Sequence, residues 1–246
     1  GYDRAQVLRD EADLCRRSDL VITTSMALQK AKSPWNPNTV LVPHGVDYDH
    51  FSRAVREELP CPEDLKSIPR PRLGFIGLIR DWVDLDLCAE VARNRPEWHF
   101  VMIGDADSNV PIWRYRSIKN MHFLGRKPYQ MLPAYCRHFD VGLIPFKINE
   151  LTRAVNPIKL REYLAAGLPV VSTPLPEVGL YSDLVGIAQT ANDFEKSIEK
   201  CLSYSDSEHR VREAAMMQEV WPKKLELIGS RMVRSFTHSD TLKRAV

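Results

Sequence analysis

Short apolar runs alternate along the chain with stretches whose apolar residues recur every three or four positions, and this alternation constrains the fold before any chemistry is considered. Runs of strand type fall at 73–76, 99–103, 121–124, 141–144, 170–172 and 186–188. Helical spacing occupies 84–95, with acidic residues in its first turn, and then 130–137 and 157–166. Strand and helix in alternation predict a parallel sheet wrapped by helices on both faces, the doubly wound α/β class, whose ligands bind at the carboxyl ends of the strands. Ahead of this unit lie a charged amphipathic helix over 5–17 and two β-branched runs at 20–23 and 40–42. The second run stops at Pro43-His44-Gly45-Val46-Asp47. The stretch 57–71, with Pro60, Pro62, Pro69 and Pro71, reads as a linker or entry loop. After Asn192 the pattern turns helical, over 193–203, 209–218 and a last amphipathic stretch beyond Pro222. The expected organisation is an incomplete domain end and hinge over 1–50, a linker over 51–71, a complete Rossmann-like domain over 72–221, and a terminal helix over 222–246 that packs back on the first part. A chain opening on Gly1-Tyr2-Asp3 rather than methionine also predicts further sequence upstream.

Composition narrows the picture without naming a function. The 246 residues are 44% hydrophobic, enough for one good core and a small second one. The 34 basic and 32 acidic residues are mixed along the chain, so no basic block points to nucleic acid. Five dispersed cysteines without a C-x-x-C pair indicate neither a disulfide framework nor a zinc site, which suits a reducing cytoplasm. No apolar run approaches the roughly 18 residues of a membrane span, and peripheral attachment at the inner membrane face stays open.

Residues 156–173, NPIKLREYLAAGLPVVST, carry the clearest local signals. Asn156 suits an N-cap, Pro157 the first helical position and Gly167 the stop, while Pro169 prevents continuation. Lys159 and Glu162 share one side of this helix, and Leu160 and Leu164 lie roughly opposite, so the charged side is expected to face away from the core. Lys159 sits in the first turn, where the helix dipole disfavours a cation unless an anion lies nearby. A phosphate there would supply one; a surface i, i+3 ion pair with Glu162 is the alternative.

Residues 156–173, together with VITTS at 21–25, VPHGVDYDHF at 42–51, FVMIGD at 100–105 and HFLGRKPYQMLPAY at 122–135, resemble the nucleotide-sugar glycosyltransferases of the GT-B fold. The similarity is to the large retaining family 4, and within it to bacterial enzymes with an NP-x-K-x-x-EYLAAG-x-PVV signature. It implies a donor-binding Rossmann-like domain with part of a second. It also implies transfer of a hexose-type sugar, with retention, from a UDP- or GDP-type donor to a glycan or lipid-linked acceptor in polysaccharide or cell-envelope synthesis. No tightly bound cofactor or metal is expected. Glu162 would accept hydrogen bonds from the donor ribose, a vicinal diol suited to a carboxylate. Lys159 and the backbone around Asn156, Pro157 and Ile158 would meet the diphosphate. The turn at Leu124-Gly125-Arg126-Lys127 would hold the base through its backbone, Arg126 and Lys127 being either solvated charge or side-chain contacts.

Two positions depart from the family pattern. The glutamate usual eight residues before the ribose-binding one is Ala154 here, so Glu150, Thr152 or Arg153 would cover the sugar instead. The usual Gly-Arg pair after the first strand of the domain is replaced by Gly77-Leu78, leaving Arg80 either to grip phosphate or to pair with Asp81 or Asp84. His44 either lines the cleft or packs its loop. Asp84-Leu85-Asp86 and Asp105-Ala106-Asp107 read as a helix start and a loop rather than metal ligands. Trp82, Trp98, Trp113 and Trp221 read as packing, with Trp82 within reach of substrate. Two rival functions remain: a binding or scaffold protein that has lost catalysis, and a sugar-nucleotide epimerase of the same fold.

Overall fold

The computed structural model describes residues 3–243; Gly1, Tyr2 and residues 244–246, the outer ends of the expected first and last segments, lie outside the described residues. Eight strands are present: β1 (Val21–Thr23), β2 (Thr39–Leu41), β3 (Arg72–Ile76), β4 (His99–Ile103), β5 (Met121–Gly125), β6 (Val141–Ile144), β7 (Val170–Ser172) and β8 (Val185–Ile187). β1 and β2 pair in parallel as a small sheet, and the other six form one parallel sheet in the order β5-β4-β3-β6-β7-β8. The order runs outward in both directions from β3 and β6. Their carboxyl ends are therefore the topological switch point, where connections leave to opposite sides and a crevice opens.

Alternate residues of the strands feed two cores, as expected of a sheet covered on both faces. Val101, Ile103, Ile144 and Val170 pack under the helices Tyr48–Arg56, Leu132–Arg137 and Ile158–Ala165. Leu73, Phe75, Phe100, Met102, Leu143 and Val171 pack under Leu85–Asn94 and Ala191–Leu202. At the centre Gly74 faces Gly142 across β3 and β6. A Cβ on Gly74 would stand 2.0 Å from the Phe139 ring, and one on Gly142 would stand 2.7 Å from Tyr163. These glycines make room for two aromatic rings. Tyr163 uses its place to accept a 2.7 Å hydrogen bond from the Ile76 amide, which ties the helix Ile158–Ala165 to the end of β3.

That helix stops where and why its sequence suggested, but starts for a different reason. Its C-terminus is a Schellman motif: Gly167 adopts φ +70°, its amide donates to Leu164, and the Leu168 amide donates to Tyr163. Its N-cap, however, is Pro157, without a side-chain cap bond; Asn156 stands one residue earlier and is buried for another purpose described below. The expected outward face is also corrected. Residues Leu160 to Ala165 are all buried, Glu162 among them, because the helices Tyr48–Arg56 and Asp206–Ala215 close over the side away from the sheet. A local hydrophobic pattern reports the first contact layer and is blind to a second.

The segment expected as a linker is folded. Residues 48–56 and 63–66 are helical, and Phe51, Ala54, Leu65 and Ile68 are core residues. Its prolines therefore punctuate a packed segment. Beyond it, the chain crosses itself where Val46 bridges Val220 and donates to the Glu219 carbonyl. A Cβ on Gly45 would meet Trp221 at 2.7 Å. The last helix, Trp221–Lys243, starts at this crossing, and its Leu227 and Arg231 share a depression with Gln29 and residues 37–41.

Candidate functional site

Two adjoining cavities open at the carboxyl ends of the strands beside the switch point. The first, of about 440 Å³, is lined by Phe75, Gly77, Leu78, Trp82 and Phe146 on the strand side, and by Thr152, Asn156, Pro157, Ile158 and Lys159 opposite. The second, of about 300 Å³, lies between the ends of β3, β4 and β5 and includes Gly104, Asp105, Arg126 and Lys127. Ile76, Gly77 and Leu78 belong to both walls. The backbone comes close there: Gly104 holds φ +140°, and a Cβ on it would lie 1.9 Å from the Gly77 carbonyl. Only glycine permits this joint between the two cavities.

The first cavity ends against an unsatisfied helix start. The amides of Asn156, Ile158 and Lys159 have no acceptor among the described residues, nor has that of Leu78 on the opposite wall. Amides at a helix N-terminus with a lysine in the first turn are groups that an anion can use. Lys159 is held by Glu162 at 2.5 Å, with side chains 24% and 7% exposed. The i, i+3 pair considered from the sequence thus forms, but not on the surface. Glu162 lies behind the cavity wall, near the phenol of Tyr129, whose pKa is pushed up to about 12 by burial and then by the Asp47 and Glu162 carboxylates.

Behind the helix start runs a buried polar chain that the sequence did not disclose. Glu177 accepts from the Met26 amide and from Asn156 Nδ2, both at 2.8 Å. Asn156 Oδ1 accepts in turn from Arg161, also at 2.8 Å. Arg161 continues to the Tyr181 hydroxyl at 2.9 Å and to Glu219 at 3.3 Å, and Lys224 meets Glu219 at 2.7 Å. The Ser25 hydroxyl adds a bond to the Ala154 carbonyl at 2.7 Å. This chain fixes the loop 154–157 between the β1–β2 unit and the C-terminal crossing, and so aims the free amides at the cavity. His44 lines the same cavity and is held below the ordinary histidine pKa by burial and then by Arg161.

The other expected site residues separate into those at the cavities and those outside them. Gly77, Asn156, Pro157, Ile158, Lys159 and Thr152 line the first cavity; Gly77 and Arg126 line the second, with Gly125 ending β5 just before Arg126. Arg126 is exposed and stands 4.0 Å from Asp105, while Lys127 pairs with Asp64 at 2.6 Å. Thr152 is turned inward: its hydroxyl donates to the Lys147 carbonyl and accepts from the Asn149 amide, closing a capping box. Glu150 and Arg153 do not line the cavity. Glu150 is exposed and pairs with Arg4 at 2.6 Å. Arg80 has its carboxylate partner in Asp107, 3.7 Å away, rather than Asp81 or Asp84; Asp84 caps the helix Leu85–Asn94. Trp98 is buried, but Trp113 is exposed and not packing, and Trp82 borders the cavity. The apolar wall of Phe75, Leu78, Phe146, Leu151 and Val155 was missed, because nothing in an apolar residue's local sequence tells a cavity wall from a core.

A parallel sheet reversing its order beside a glycine joint, with a helix start at the reversal, defines a doubly wound α/β domain with a crevice at the carboxyl ends of its strands. Residues 70–203, more than half of the chain, match the family described as Glycosyl transferases group 1, and the chain belongs to that family. It is 34% identical over 181 residues to TuaH of Bacillus subtilis strain 168, a glycosyltransferase whose name assigns it provisionally to teichuronic acid biosynthesis. That similarity takes in 71% of this chain and 45% of TuaH, so the chain spans about half the length of this relative. Among solved structures it is similar to Anabaena HepE in complex with UDP-glucose, with TM-score 0.68 and 17% identity over 93% of this chain and 68% of that one. It is also similar to sucrose-phosphate synthase from Thermosynechococcus elongatus, with TM-score 0.68 and 18% identity over 95% of this chain and 62% of the other. These structures show the GT-B fold. Among the described residues no helix is long and apolar enough to cross a membrane, and no group of three or more His, Cys, Asp or Glu side chains could hold a metal ion.

Proposed function

We propose that this chain is the donor-binding part of a glycosyltransferase that moves a sugar from a nucleoside diphosphate to a hydroxyl acceptor, with retention, in the assembly of a polysaccharide or cell-envelope glycan. The observation that carries the reading is the convergence of unsatisfied amides at 156, 158 and 159 with the Lys159 ammonium on a cavity at the switch point. The donor diphosphate fits there, since its charge complements both the helix dipole and the lysine. Lys159 turning toward it uncovers Glu162, whose carboxylate accepts from the ribose hydroxyls, and the base occupies the second cavity against the turn at Gly125. Amides and ammonium together stabilise the charge that develops on the leaving diphosphate. UDP is the first nucleotide to try, since HepE is solved in complex with UDP-glucose, and GDP the second.

Calorimetric titration of UDP and GDP into the wild type and Glu162→Ala tests the reading. Hydrogen bonds to a charged group contribute about 1.5–3 kcal/mol each, so loss of even one of the two is expected to weaken binding by roughly 10- to 100-fold. Equal affinities would remove Glu162 from the ribose site. A non-catalytic nucleotide-sugar-binding protein is the second reading, favoured by Ala154 and by Leu78 where the family has glutamate and arginine. Tight nucleotide binding without sugar transfer by the full-length protein would select it.

A further inference from the structure

The first cavity is unusually poor in polar groups for one that must hold a sugar. Most of its side chains are apolar, Phe75, Leu78, Trp82, Phe146, Leu151 and Val155 among them. Its polar side chains are His44, Thr152, Asn156 and Lys159. Two of these are already committed. The Thr152 hydroxyl is engaged by Lys147 and Asn149, and both polar atoms of the Asn156 side chain are engaged by Glu177 and Arg161. On the reading above Lys159 meets the diphosphate. Among the described residues of this cavity, the His44 imidazole and the backbone are then left to meet the sugar hydroxyls.

We infer that the transferred sugar carries a methyl group, as a deoxy sugar or an N-acetylated amino sugar does, and that this methyl seats against the apolar wall formed by Leu78, Trp82, Phe146, Leu151 and Val155. The inference rests on the donor reading above. A hydroxyl placed against such a wall loses its water and finds no partner, whereas a methyl group gains by leaving water. The cavity is continuous with the free amides of Ile158 and Lys159, so a group bonded to the diphosphate there is carried into it. At the two family positions that depart, Ala154 and Leu78, side chains able to meet sugar or phosphate oxygens are absent, and Leu78 adds to the wall.

The test uses matched donor pairs that share a base and differ at one substituent. These are UDP-glucose against UDP-N-acetylglucosamine, and GDP-mannose against its 6-deoxy counterpart, GDP-rhamnose. Affinities are measured by calorimetry on the wild type and on the double variant Leu78→Ser/Leu151→Ser, whose positions are 53% and 62% exposed and so compatible with folding. In the wild type the methyl-bearing member of one pair is expected to bind about tenfold or more tightly than its partner, the discrimination a hydrophobic pocket gives for such a group. The double variant is expected to lower that ratio several-fold. The pair that discriminates tells an acetyl methyl from a deoxy methyl. Nucleotide binding with equal affinities within both pairs overturns the inference alone and leaves the cavity to the apolar tail of a lipid-linked acceptor. Failure of both UDP and GDP to bind overturns the donor reading and the inference with it.

Discussion

Replacing Asn156 by alanine should unfold this protein early, although the residue lies in a loop between two helices. Its side chain bridges Glu177 and Arg161 through two 2.8 Å bonds, and the three residues are 4%, 2% and 1% exposed. Alanine leaves a carboxylate oxygen and a guanidinium nitrogen without this partner, out of reach of bulk water. Hydrogen bonds to charged groups contribute about 1.5–3 kcal/mol each, which places the sum near 3–6 kcal/mol. Arg161 retains Tyr181 and Glu219, and Glu177 retains the Met26 amide, so the lower part of that range, about 3–4 kcal/mol, is expected. For a chain of this size each kcal/mol moves the midpoint by roughly 2–4 °C, giving a loss of roughly 6–16 °C. Scanning calorimetry at neutral pH measures it. Asn149→Ala is the internal comparison: that residue caps the exposed helix Glu150–Arg153 by accepting from the Thr152 amide, and its loss should cost about 1 kcal/mol. An Asn156→Ala midpoint no lower than that of Asn149→Ala would refute the claim that the buried chain holds the loop.

Gly167→Ala should cost about 1–2 kcal/mol, since it forces a side chain into the left-handed region and sets a Cβ 2.7 Å from Val55 Cγ2; urea titration reads this as a lower midpoint at unchanged slope. Glu219 has its pKa raised by burial but lowered more by Lys224 and Arg161, so the folded value lies below the unfolded one. Its stabilisation is therefore complete above the ordinary glutamate pKa of about 4.3 and is lost as pH falls through the folded value. Glu219→Gln should lower the neutral-pH midpoint and flatten the loss of stability below about pH 4.5, and an unchanged acid limb would refute the assignment. His44 is likewise depressed, so the stability linked to its neutral form is lost as pH falls below about 6.5; His44→Asn should remove that slope from the melting profile. Alkylation of the native protein should label Cys61 first, because Cys15, Cys88, Cys136 and Cys201 are buried and burial pushes Cys201 up to about 12; mass spectrometry of the labelled peptides checks the order.

Much of the architecture follows from local information. Alternating apolar runs and helical spacing located all six strands of the main sheet to within a residue, because strand burial and helix amphipathicity are nearest-neighbour properties of the chain. The positive φ at Gly167 and the helix stop were equally legible, since a helix end needs its left-handed residue whatever surrounds it. The surroundings of the same helix were not. Lys159 and Glu162 were legible as a pair, but their burial depends on the helices Tyr48–Arg56 and Asp206–Ala215, one far before and one far after them in sequence. Asn156 looked like a cap, and became a bridge because Glu177 and Arg161 reached it first.

The sequence by itself determined the sheet, its helices and the presence of a lysine and a glutamate beside an unsatisfied helix start. Tertiary structure alone decided that the start opens into a cavity, that Glu162 is buried under Lys159, and that the cavity's far wall is apolar. The physical reason is range. Backbone hydrogen bonding and hydrophobic periodicity act over a few residues, whereas a cavity is the space left between segments that only the completed fold brings together.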